Sequence, residues 1–483
     1  MIKRLSPSFA LLLYALPAGA QPVPLQCFST EGESRIATCS AALTNTNLPA
    51  ETRALVLAAR ASAFATRGDH KLALADYDAA LALAPNDTTA RVARGKLHEQ
   101  MGDTAKAEGD FSAALTADRA LAEAYALRGA LRLQRGAADD ALADLGEARR
   151  LNPSDAKTQA LFAAARLKAG ETGDALASFT AALDANPKDT TALRGRATAY
   201  AQEKNYPAAI ADFSAALQVN PNDLAALEGR GMAALQSGSL AAAIVDFSAL
   251  AALRPGDGSP LFFRANAKLQ SGDAKGAVAD FSGFLEKHAG DTEALMGRAL
   301  ALQFAGDYSG AETDLTSLLA KHPNAAQALA TRGYLRVMAG KHQAAAQDLA
   351  LAASLPQAPP EVALWRFIAE TRAGQKAGAA LADAAKKLSA DLWPAPVIHY
   401  FLGSISGDDV LAAATREPGG AEARLCEAYF YLGEAALIQK DATAAAKLFK
   451  AALATNMVRY TEYAGARAEL ARLELPAGDA KPK

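Results

Sequence analysis

The 483-residue chain is short of the residues from which most functional signatures are built. Six histidines are scattered at His70, His98, His288, His322, His342 and His399, and there are three cysteines. Neither set has the close spacing of a metal centre, and no glycine-rich loop is present to cradle a phosphate. Neither sign of charge dominates: 50 Lys and Arg face 52 Asp and Glu. That balance argues against a nucleic-acid binder, which needs a clustered basic face. No run beyond the first 20 residues is apolar enough to span a bilayer, which takes about 20 residues. Nucleophile signals are also missing. In Gly403-Ser-Ile-Ser-Gly407 an isoleucine stands where a nucleophile elbow needs its serine. Ser154 and Lys157 have a serine–lysine spacing but begin a helix, where capping accounts for them. The expectation is a chain that is not an enzyme and takes no cofactor.

Residues 1–20 read as a secretory leader. Lys3 and Arg4 precede a short apolar run, Phe9 to Leu16, and Ala18-Gly19-Ala20 is a small-residue cleavage site. As a membrane anchor the run is too short. No cysteine follows Ala20 to carry a lipid, so the mature chain is expected to be soluble and periplasmic, starting near Gln21. In an oxidising compartment Cys27 and Cys39 are placed to form a disulfide, whose short loop contributes about 3 kcal/mol. The alternative is two buried free thiols. Cys426 is isolated in an apolar stretch and reads as a buried, inert thiol.

What the chain does have is a 34-residue period, nine times over from Ala54 to Pro359, without insertion or deletion. Numbering each unit 1–34, position 8 is always small and position 20 always alanine, from Ala73 to Ala345. Position 24 is large and apolar: Tyr77, Phe111, Leu145, Phe179, Phe213, Phe247, Phe281, Leu315 and Leu349. Small residues let two helices approach, and position 24 fills the space between neighbours. Glycine at position 15 in eight units breaks the chain between two helices, proline at position 32 in six stops the second helix, and aspartate at position 34 in six is placed to cap the next.

This pattern resembles the tetratricopeptide repeat (TPR), although the bulky aromatic often found at position 4 is missing. The resemblance implies an all-α fold: a right-handed superhelical TPR solenoid of stacked helix-turn-helix units, with first helices lining a concave groove. Residues 21–53 read as a divergent N-terminal half-repeat, 54–359 as nine repeats, 360–475 as a degenerate repeat plus a helical cap, and 476–483 as a disordered tail. Such an array makes a binding surface rather than a catalytic pocket.

Two further patterns emerge on comparing the repeats with one another. Position 7 is arginine and position 23 aspartate in the same eight repeats: Arg60/Asp76, Arg94/Asp110, Arg128/Asp144, Arg196/Asp212, Arg230/Asp246, Arg264/Asp280, Arg298/Asp314 and Arg332/Asp348. Repeat four loses both together, with Phe162 and Ser178. Joint loss implies contact, hence a ladder of bidentate pairs pinning the two helices of each hairpin; independent solvated charges are the alternative. From repeat six the groove positions lose their charge. Met232, Leu235, Phe262, Phe263, Asn266, Leu269, Met296, Leu300, Phe304, Tyr334 and Met338 then suit an apolar helix or extended peptide. Either that groove is open, or closure of the solenoid or the C-terminal helix fills it. With only Asn266 in the region, a carboxylate clamp of lysines and asparagines is not expected.

The C-terminal stretches Cys426-Glu-Ala-Tyr-Phe-Tyr-Leu-Gly-Glu434 and Tyr460-Thr-Glu-Tyr463, with Ala468-Glu469-Leu470, Trp393-Pro394 and Tyr400-Phe-Leu-Gly403, are similar to NlpI-type envelope TPR lipoproteins. That resemblance implies an adaptor bringing a cell-wall hydrolase to a periplasmic protease, and the ability to form a homodimer. The missing lipid-attachment cysteine and the many extra repeats set this chain apart. Its expected partner is a protein or peptide of the cell envelope, with no nucleic acid and no membrane span. The alternative is a structural part of an envelope secretion or polysaccharide-export assembly.

Overall fold

The computed structural model describes residues 26–474 other than 360, 390, 391 and 418. The leader assigned to residues 1–20 and the tail 476–483 lie outside the described residues. Among the described residues all regular structure is helical. The fold divides after Pro221 into two compact units. In the first, repeats one to five follow the half-repeat. In the second, repeats six to nine lead into the C-terminal helices.

The half-repeat is a short helix, Gln26–Ser29, and a longer one, Gly32–Leu43. A disulfide joins Cys27 to Cys39, and both are fully buried. Each repeat is then a helix pair, from Ala50–Arg67 with His70–Leu83 to Ala326–Met338 with His342–Ala353. The turn between the two is closed by the position-15 glycine, whose φ lies between 74° and 93° in eight repeats. In repeat seven the N–H groups of Gly272 and Asp273 bond the carbonyls of Leu269 and Lys268, a Schellman pattern. Repeat five has Lys204 in that conformation, at φ 60°, and the last hairpin has Lys440, at φ 64°.

The position-34 aspartates cap the following helix, as when Asp291 accepts from Ala294 N–H at 2.8 Å. Asp257 is the exception. There the helix begins one residue late, at Ser259 behind Gly258, with Pro260 in its first turn, and Asp257 accepts instead from Ser259 N–H. A second row of caps lies at position 16, where Asp103, Asn205, Asp273 and Asp307 each cap a second helix.

Position 24 explains the small residues. Phe111, Leu145, Phe179, Phe247, Phe281, Leu315 and Leu349 are fully buried, each contributing roughly 1.5–3 kcal/mol. A methyl group at Gly95 would lie 2.6 Å from Phe111, and one at Gly195 only 2.2 Å from Phe179 of the repeat before. The position-24 ring is therefore a wedge between the two first helices on either side, and side chains there would push the stack apart.

After repeat nine come Val362–Arg372 and Ala379–Lys387, then two shorter helices, Ala395–Phe401 and Gly407–Thr415. A long hairpin, Ala421–Ile438 with Ala442–Ala454, and a closing helix, Thr461–Glu474, complete the cap. Trp365 is its centre, fully buried, with ring centroids 4.8 Å from Tyr334 and 4.9 Å from Phe430.

Candidate protein-interaction surface

The eight Arg–Asp pairs lie in bidentate contact. Nε donates to one carboxylate oxygen and Nη2 to the other, at 2.7 and 2.8 Å in Arg60–Asp76 and at 2.7 and 2.7 Å in Arg298–Asp314. The remaining pairs have the same form, Arg94–Asp110, Arg128–Asp144, Arg196–Asp212, Arg230–Asp246, Arg264–Asp280 and Arg332–Asp348. All eight carboxylates are buried. Burial pushes the Asp280 carboxyl up, yet hydrogen bonds from Arg264 and Lys268 outweigh it and hold it below its usual range. The arginines do more than pin a hairpin. Nη1 reaches back to position 25 of the preceding repeat, as in Arg128 to Ser112 (3.0 Å) and Arg264 to Ser248 (3.0 Å). Arg94, Arg128, Arg196, Arg264, Arg298 and Arg332 thereby stitch their repeat to the one before it.

The apolar groove residues do not share one fate. Met232, Phe262, Phe263, Asn266, Leu269, Met296, Leu300 and Phe304 are half-buried, while Leu235 is buried. Phe263 stacks on Phe247 at 5.5 Å, and Phe262 packs on Phe281 and Phe284, so part of each ring serves the core. Tyr334 and Met338, assigned to the same groove, are only 3 % exposed. Trp365 covers Tyr334, and the closing helix lies against the C-terminal end of the helix that carries both.

That closing helix is held by arginines bonded to main-chain oxygens. Arg459 Nη1 donates to the Gln270 carbonyl at 2.7 Å, Arg467 Nη2 to those of Gln303 and Phe304, and Arg472 Nη2 to those of Val337 and Met338. Gln270, Phe304 and Met338 all occupy position 13, where the last turn of a first helix leaves carbonyls unsatisfied and partially negative. Tyr308 Oη adds a bond to Ala464 O at 3.2 Å. Repeats seven, eight and nine are thus already engaged at that edge by a segment of the chain itself.

The buried face of the helix carries Glu462 and Glu469, which join the buried Glu434 and the half-buried Glu427. Glu462 accepts from Trp365 Nε1 and Tyr431 Oη, and Glu469 and Glu434 share Arg372. Glu427 accepts from Trp393 Nε1 at 2.6 Å. Burial, then Glu462, pushes the Glu427 carboxyl up to about 8. The buried Cys426 thiol is raised by burial to about 11, consistent with an inert side chain.

The tetratricopeptide repeat family model matches residues 58–122, 161–218, 205–258, 298–361 and 410–457, more than half of the chain. The chain belongs to the tetratricopeptide repeat family. A TPR array is a scaffold for protein–protein interaction, and its members are typically non-catalytic. Among curated proteins the chain is 33 % identical over 119 residues to the lipoprotein NlpI homolog of Haemophilus influenzae. That match covers 24 % of this chain and spans only 38 % of the relative's length. Solved structures similar to this TPR chain include a tetratricopeptide repeat protein from Parabacteroides merdae (20 % identity, 51 % of this chain and 97 % of that one, TM-score 0.37). Another is YrrB, described as a TPR protein with an unusual peptide-binding site (22 %, 40 % and 97 %, TM-score 0.34). No helix among the described residues is long and apolar enough to cross a membrane.

Proposed function

We propose that this TPR chain is an exported adaptor of the bacterial envelope, cleaved near Ala20 and acting in the periplasm. It holds a segment of a protein partner along the first helices of repeats six to eight. The partner class we assign, by the partial likeness to an NlpI homolog, is a periplasmic protease or cell-wall enzyme. The observation that carries the reading is the closing helix, because a helical segment already engages the ends of the first helices of repeats eight and nine. Met232, Phe262, Phe263, Asn266, Leu269, Met296 and Leu300 keep half-buried, uncharged side chains on the first helices of repeats six to eight. Flexible methionines and flat rings of this kind adapt to an apolar helix or extended peptide.

The test is a photo-crosslinker at position 263 of the full chain in periplasm. A defined protein should be captured, and Leu269→Glu, which places a charge on that face, should abolish the capture. Mass separates a partner from a second copy of the chain, the homodimer. No capture, or capture indifferent to Leu269→Glu, overturns the groove.

A further inference from the structure

Repeat four breaks the ladder at three positions. From repeat two on, each ladder arginine follows a Ser, Thr or Asp at position 25 of the preceding repeat: Asp78, Ser112, Thr180, Ser214, Ser248, Ser282 or Thr316; in repeat one Arg60 reaches Ser40, 20 residues before it. Before repeat four that residue is Gly146, the arginine is Phe162 and the aspartate is Ser178. All three members of one rung are replaced together, and a cavity of about 590 Å³ opens there. Gly146 and Ser178 line it together with Arg149, Arg150, Pro153 and Gln159.

Repeat four has the position-11 cation of a rung without the rung's aspartate. In repeats three, seven and nine a cation at position 11 reaches the ladder aspartate: Arg132–Asp144 at 2.9 Å, Lys268–Asp280 at 2.8 Å and Arg336–Asp348 at 2.7 Å. Repeat four keeps the cation, Arg166, but its Nη1 finds only Ser178 Oγ at 3.3 Å, and its Nε stands 3.6 Å from Glu171. Arg149 joins it from repeat three. The two guanidinium groups stack on Phe162, 4.3 and 4.8 Å from its ring centre. Arg149 has no carboxylate partner among the described residues, whereas Arg150 is paired with Glu147. The cleft thus combines Arg149 and Arg150 with a serine and a glutamine, Phe162 backs Arg149, and Arg166 adjoins it through Ser178, where the other rungs place a carboxylate.

We propose that this cleft binds a carboxylate group, borne by an acidic peptide or a small organic acid, which takes the place of the missing aspartate. Planar guanidinium groups held by a ring are pre-oriented for a carboxylate, and the volume suits a small ligand or one or two side chains. The cleft lies in the unit ending at Pro221, so it stands or falls independently of the groove in repeats six to eight.

Calorimetric titration of the full chain with hexaglutamate and, separately, with succinate tests it. We expect saturable single-site binding, weakened at least about tenfold by Arg149→Ala, as loss of a charged hydrogen bond implies. The double variant Phe162→Arg/Ser178→Asp rebuilds the rung from within and should abolish binding while melting no lower than the wild type, so lost binding is not lost fold. Binding of both probes identifies a small-carboxylate site, and binding of hexaglutamate alone a site for an acidic protein segment. Absence of binding by either probe, or binding that survives in the double variant, overturns the proposal.

Discussion

Lys204 holds a backbone conformation that glycine holds in the other eight repeats. A side chain at positive φ crowds its own carbonyl, at about 1–2 kcal/mol for an L-residue, partly offset by the entropy glycine would add to the unfolded chain. Lys204→Gly is therefore expected to stabilise the first unit by about 0.5–1 kcal/mol, read as a higher urea midpoint at an unchanged slope. A lowered midpoint would mean that lysine makes a compensating contact. At this scale much was legible, because a constraint that recurs every 34 residues shows itself by repetition. The arginine and aspartate of each rung stood out because no other residue type replaces them except in repeat four. The third member at position 25 was equally periodic but alternates among serine, threonine and aspartate, since any of these accepts from Nη1. Chemical equivalence hid it.

Among the elements, the repeat helices follow from glycine, proline and cap positions, whereas the placement of the closing helix does not. Arg459, Arg467 and Arg472 bind main-chain carbonyls, and a carbonyl has no sequence signature. The burial of Tyr334 and Met338 matches, for those two residues, the filled-groove alternative that the sequence left open beside an open groove. The cap should also respond to pH. Burial and Glu462 raise Glu427 to about 8, and burial with Glu469 moves Glu434 the same way, from an ordinary 4.5. Between those values the folded cap retains protons that the unfolded chain has released. Its stability is therefore full below about pH 4.5 and declines as pH rises toward 8, by up to about 1.4 kcal/mol per pH unit for each proton. His342 acts oppositely and lower on the scale: burial depresses it to about 4, so its contribution, present above 6.5, is lost as pH falls through 4. Thermal midpoints of the second unit should fall from pH 6.5 to 8, and Glu427→Gln should flatten the slope. A wild-type profile level over that range would mean the acids are already ionised.

For the molecule as a whole, a solenoid is about as strong as its weakest neighbour contact, because each repeat touches only the next. Within the first unit the missing rung leads us to expect that contact between repeats three and four. Elsewhere a rung joins three side chains across the joint, and removing one partner of a buried pair costs about 3–5 kcal/mol. Here the joint has Arg149 and Arg166 against the Phe162 ring instead, contacts contributing about 1–2 kcal/mol per cation at most. Native-state hydrogen exchange should then show the helices Ala156–Lys168 and Thr172–Ala185 opening at lower free energy than the helix pairs of repeats two and three. The triple variant Gly146→Ser/Phe162→Arg/Ser178→Asp should raise protection in repeat four to that of its neighbours and leave repeat two unchanged. Equal protection in the wild type would mean that the aromatic stack is as strong as a rung. Lower protection, removed by the triple variant, would mean that an open joint is maintained at the position where the array departs from its own rule.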